Sequence, residues 1–205
     1  MTSRALARSA LAAGLAVAAL AGCGGGSNPI DNPPTVENPP VGGSSSKLSF
    51  AYFQKCVNPI LLAQLQTNIN GQVSVNSCAS GGCHSSSTGT GGALRVDAAA
   101  QAVDLSNAAN TPDVVRQTDM YKNFYSSQGV TLPGSPDQSR LLLKPLVQGV
   151  LHGGGLIFVD ANDPNAKTFR YWINRPMPQG QDEFSTAANS MFTPPDPLTG
   201  TCNVE

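Results

Sequence analysis

The chain has 205 residues, 40% of them hydrophobic, with a formal charge of −1 and only 12% charged side chains. That length and apolar content suit one domain with appendages and a real core. The near-neutral charge, with no basic or acidic run, excludes nucleic acid as a partner, since phosphate binding needs a basic face.

The first residues read as a targeting segment. Arg4 and Arg8 precede an apolar run over 10–21 that is too short to span a bilayer and matches a secretory h-region. It ends in Leu20-Ala21-Gly22-Cys23, which resembles the lipobox of bacterial lipoproteins. The resemblance implies that 1–22 is a signal peptide and that Cys23 is lipidated by acyl chains such as palmitate, an anchor without a transmembrane helix. Gly24 stands where an Asp would mark inner-membrane retention, so the implied destination is the outer membrane, on its periplasmic side or at the cell surface. Residues 23–46, rich in Gly, Ser and Pro pairs, form a flexible tether.

The folded domain is expected over 47–205. Phe50, Phe53 and Val57 recur at helical spacing, Asn58-Pro59 should end or kink that helix, and Ile60, Leu61, Leu62 and Leu65 restart an apolar face. The polar stretch 68–77, which contains Gly71, is read as a loop. It delivers the chain to Cys78-Ala79-Ser80-Gly81-Gly82-Cys83-His84.

Two cysteines followed at once by a histidine can hold a haem covalently, through two thioethers and one imidazole on the iron. The usual string has two residues between the cysteines and this one has four; Gly81 and Gly82 are expected to let the longer loop bulge. The segment 85–92 is polar and Gly-rich, suited to approaching a flat ligand, and lacks the ending of a phosphate loop.

Further along, 98–105 and 113–125 are predicted helices, the second with Val114, Thr118, Tyr121 and Tyr125 on one side. After a turn-rich connection over 129–137, the apolar segment 139–146 runs on through Val147, Val150 and Leu151 into His152-Gly153-Gly154-Gly155, a loop that must turn sharply. N-cap chemistry in 160–164 starts a helix over 166–174 with Phe169, Trp172 and Ile173 on its apolar face. The tail from Met177 is expected to pack as extended coil.

The order Val57-Asn58-Pro59-Ile60-Leu61, Cys78…Cys83-His84, Gly91-Gly92-Ala93-Leu94-Arg95, Ser139-Arg140-Leu141-Leu142-Leu143-Lys144-Pro145, His152-Gly153-Gly154-Gly155 and Tyr171-Trp172-Ile173 resembles bacterial monohaem c-type cytochrome domains over about 50–175. The resemblance implies a mainly α, cytochrome c-like helical domain with extensive coil, one covalent haem c, and a second axial ligand from a loop before the last helix. The chain has two histidines, so His84 and His152 would supply both axial ligands, with Met177 between two prolines as the alternative sixth ligand. The implied role is that of a non-enzymatic electron carrier serving redox partner proteins, attached to the membrane through lipid alone.

Other readings are open at this level. With Cys23 acylated and Cys78 and Cys83 on haem, parity leaves Cys56 and Cys202 to form a disulfide in an oxidising compartment. Cys78 and Cys83 could instead pair in a redox-inert structural or binding lipoprotein, or join His84 and His152 around zinc. A haem peroxidase or sensor would keep the distal position open, with His152 as base and Arg95, Arg116 or Arg140 as its partner.

Overall fold

The structure is a computed structural model and describes residues 47–204. The signal peptide, Cys23 and the tether lie outside those residues. Helices of all kinds make up 32% of the described residues, and two small antiparallel sheets accompany them. The expectation of a mainly α, cytochrome c-like domain is therefore corrected: this is a mixed, loop-rich fold around a short helical core.

The core is built on an N-terminal helical stretch. The Ser49 hydroxyl accepts from the Tyr52 amide and caps α1 (Phe50–Tyr52), which widens into a π turn over Phe53–Val57 before α2 (Asn58–Leu62). Pro59 falls in the first turn of α2, where its missing N–H costs little, so the helix neither ends nor breaks there. Phe50 and Phe53 pack on Phe124 of α4 (Asp119–Gln128), with ring centroids 5.5 and 5.6 Å apart, and Phe53 meets Trp172 of α6 (Pro164–Ile173) at 5.4 Å. The Trp172 indole donates to the Ser49 carbonyl at 2.9 Å. All four rings are fully buried, and the indole N–H is satisfied as burial demands.

The departures from helix have identifiable causes. Residues 68–77 do not loop. Leu65–Ile69 (β1) pairs with Gln72–Asn76 (β2) around Asn70 and Gly71, both at positive φ, as a two-residue hairpin turn requires. Residues 98–105 form no helix because Gln54 clamps Val103 from both sides, donating to its carbonyl at 3.1 Å and accepting from its amide at 3.0 Å. Asp97, Asp104 and Asn107 add side-chain turns that accept from backbone amides two residues on. The helix expected over 113–125 is split into α3 (Pro112–Val115) and α4 by Thr118, which caps α4 through the Tyr121 amide. Tyr125 is exposed rather than on the buried face.

The apolar run after Ser139 gives only α5 (Arg140–Leu143). The helix expected over 166–174 is α6, capped by the Asp163 carboxylate on the Asn165 amide. The tail is more ordered than extended coil: a 3-10 turn over Thr186–Met191 leads into a short hairpin of β3 (Phe192–Thr193) and β4 (Thr201–Cys202). A disulfide joins Cys202 to Cys56, 146 residues away in sequence, and ties the tail to the π turn. Among the described residues no helix is long and apolar enough to cross a membrane.

Candidate functional site

The loop that carries the cysteines is held by successive turns. The Ser80 amide donates to the Ser77 carbonyl, the Cys83 amide to the Ser80 carbonyl at 2.9 Å, and the His84 amide back to the Cys78 carbonyl at 2.9 Å. These bonds absorb the two additional residues. Gly81 and Gly82 do not take the role expected of them, since neither has a positive φ and Gly82 faces open space. The glycine that the site requires is Gly91: a Cβ there would lie 2.6 Å from the His84 ring and 2.7 Å from the Cys83 carbonyl oxygen.

Helix α4 positions the segment that supports His84. Ser126 accepts from the Arg95 amide at 2.6 Å, and Asn123 both accepts from the Asp97 amide and donates to the Asp97 carbonyl. The segment so fixed presents the Leu94 carbonyl to His84 Nδ1 at 3.2 Å, and the Val96 amide to the His84 carbonyl at 2.7 Å.

His152 is positioned from the opposite wall. Its Nδ1 lies 2.8 Å from the Gly155 carbonyl oxygen, and the next residue, Leu156, exchanges two 2.9 Å backbone bonds with Asn68 of β1. Gly155 has φ +72°, and a Cβ there would overlap the Asn68 carbonyl, so only glycine lets the loop lie on the hairpin.

The two imidazoles face each other across a cavity of about 570 Å³ lined also by Cys78, Cys83, Lys144 and the inward residues of the hairpin, Leu65, Thr67 and Ile69. Their ring centroids are 6.3 Å apart and their planes 11° from parallel. That separation lies within the range of offset ring pairs. Two imidazoles would also stand roughly 6.3 Å apart if one nitrogen of each lay about 2.0–2.1 Å from a shared ion. With each Nδ1–H on a carbonyl, each Nε2 keeps a free lone pair, the tautomer a ligating histidine uses.

Electrostatics agree with that role. Burial lowers the pKa of both histidines, reinforced by the nearby Lys144 ammonium, so both rings are neutral at pH 7. Cys78 and Cys83 are free thiols, unlike Cys56 and Cys202. Burial, with Cys83 close by, pushes the Cys78 thiol up to about 11, which keeps it protonated.

Other candidates fall outside this arrangement. Met177 is buried in the core, its amide donating to the Lys47 carbonyl at 2.8 Å, and it does not line the cavity. Arg116 pairs with Glu183 instead, and Arg95 donates to the Leu94 carbonyl; Arg140 lines an apolar annex that shares Cys78, His84, Lys144 and His152 with the main cavity. Among the described residues no group of three or more His, Cys, Asp or Glu side chains converges as a metal cluster would, so the four-residue zinc arrangement is not assembled.

Sequence reasoning missed the β1–β2 hairpin as a cavity wall, although Asn70-Gly71 between two five-residue runs is a hairpin signal. It also missed Gly91, Lys144 and the two supporting carbonyls, for which spacing offers no signal. No protein-family model matches the chain, and no curated protein or solved structure is similar to it.

Proposed function

We propose that this chain carries one c-type haem, attached through Cys78 and Cys83 and ligated by His84 and His152, and that it passes electrons between redox partner proteins. The observation that carries the reading is the pair of imidazoles, 6.3 Å apart and nearly parallel, each with Nδ1 on a backbone carbonyl, in a cavity that two free thiols also line. The reading rests on this site and not on the fold. A 570 Å³ cavity is of the size that cofactor sites have.

The haem, when bound, supplies one-electron chemistry at its iron. The residues of the chain do the rest. Cys78 and Cys83 would hold the haem by adding S–H across its vinyl groups, sulfur to one carbon and proton to the other, so attachment would require no oxidant. The thiols must be reduced for this, as Cys78 and Cys83 are. His84 and His152 would both ligate the iron, which suits electron transfer better than a peroxidase or sensor, since either needs an open position. Leu61, Leu94, Val130, Leu141 and Phe169 give the annex beside both histidines an apolar lining.

The lipobox-like sequence supports placing this carrier as an outer-membrane lipoprotein, held by lipid on Cys23. Expression of the full chain in a host that matures c-type haems tests the whole reading. A haem-stained band on a denaturing gel is expected in the membrane fraction, lost on Cys78→Ala with Cys83→Ala and moved to the soluble fraction by Cys23→Ala. Colourless protein from such a host refutes the haem assignment, and a stained band unmoved by Cys23→Ala refutes the anchor.

A further inference from the structure

Lys144 is a charged residue of the cavity that ligation and attachment leave unexplained. It follows α5 directly, its amide bonded to the Arg140 carbonyl at 3.1 Å, so its backbone is fixed. It lines both the main cavity and the annex. The lysines elsewhere have partners: Lys47 pairs with Glu183, Lys122 with Asp119, and Lys55 donates to the Pro197 and Leu198 carbonyls. No hydrogen bond or ion pair joins the Lys144 ammonium to another described residue.

Neither the cavity nor the annex is lined by an Asp or Glu, and the one other charge, Arg140, is also positive. The imidazoles and the sulfurs, once alkylated, bring no negative charge. Lys144 is partly buried, and an anionic group on what fills the site would meet its charge more closely than solvent does.

We propose that Lys144 is a positioning residue that binds a carboxylate on the edge of the bound cofactor, of the propionate type, and thereby raises the reduction potential of the site. The inference rests on the haem reading above. A cation fixed near the iron favours the state that holds the additional electron, and the low dielectric of a filled cavity strengthens the effect.

The test is redox titration of the haem-loaded full chain at one pH, comparing the parent protein with Lys144→Gln and Lys144→Arg. Lys144→Gln should keep the covalent haem and the low-spin spectrum but shift to a lower potential, and Lys144→Arg should return most of the way to the parent value. Lys144→Met, which keeps the apolar stem, carries the same comparison if the Gln variant does not accumulate. A loaded, low-spin Lys144→Gln or Lys144→Met protein with the parent's potential overturns the proposal. Excess acetate should leave the parent's potential unchanged; a shift would mean that Lys144 takes its carboxylate from solution, which also overturns it. If the parent acquires no haem, the haem reading fails first and this inference falls with it.

Discussion

Replacing Gly91 with alanine should separate the structural demand of the His84 site from the general tolerance of its loop. The backbone of Gly91 is outside the left-handed region, so alanine adds no conformational strain and acts through its Cβ alone. That carbon would lie 2.6 Å from His84 Cε1 and Nδ1 and 2.7 Å from the Cys83 carbonyl oxygen, where contacts normally settle at about 3.5–4.0 Å. Relief of roughly 1 Å has to come from the ring or from the loop. Overpacking of this kind costs about 1–3 kcal/mol. Rotating His84 off the Leu94 carbonyl adds about 1 kcal/mol for the lost hydrogen bond. The expected loss is thus about 2–4 kcal/mol, a fall of roughly 1–2 M in urea midpoint. Gly82→Ala is the matched control, since nothing lies within 4 Å of its Cβ position. In haem-loaded protein Gly91→Ala should also lose part of its low-spin spectrum, while Gly82→Ala should not. If the two variants agree within about 0.5 kcal/mol and share the parent's spectrum, His84 is not held as described.

Two further perturbations probe the frame around the site. Changing Cys56 and Cys202 together to Ser removes a cross-link spanning 146 residues, for which chain entropy sets an upper estimate of about 5 kcal/mol; urea unfolding should show a loss of about 2–5 kcal/mol, and an unchanged midpoint would mean that the tail is held by packing alone. Glu183 is buried, which opposes its charge, but the Tyr121 hydroxyl at 2.7 Å and the Arg116 guanidinium at 3.0 Å outweigh burial and hold its carboxyl below the usual carboxylate range. Its contribution is therefore full above the unfolded-state pKa and lost as pH falls through the lower folded value. Glu183→Gln should cost about 1–3 kcal/mol at pH 7 and flatten the loss of stability below about pH 5, as followed by urea unfolding at several pH values; an equally steep acid limb in the variant would assign that limb to other groups.

Several parts of this molecule were legible before folding. The spacing of Phe50, Phe53 and Val57, and of Phe169, Trp172 and Ile173, marks the two helical faces that meet in the core, because burial on one side of a helix leaves a 3.6-residue period. Cys78, Cys83, His84 and His152 stand out by type and spacing, and all four line the same cavity. What misled the reading was helix inferred from apolar content alone. Residues 98–105 have the composition of a helix, yet the side chain of Gln54, 49 residues away from Val103, holds Val103 by both backbone groups and no helix forms.

The sequence by itself determined which side chains are available for chemistry and which short segments are helical, since both follow from residue type and local period. Only the tertiary structure decided that the two imidazoles stand 6.3 Å apart with their Nδ1 atoms on the Leu94 and Gly155 carbonyls, that Gly91 makes room for one ring, and that Lys144 enters the cavity without a counter-charge. Those relations join residues separated by 68 positions between His84 and His152, and they arise from α4, the β1–β2 hairpin and α5 closing on one space. No local pattern carries such information, because the backbone carbonyls and the missing Cβ that complete the site have no signature of their own in sequence.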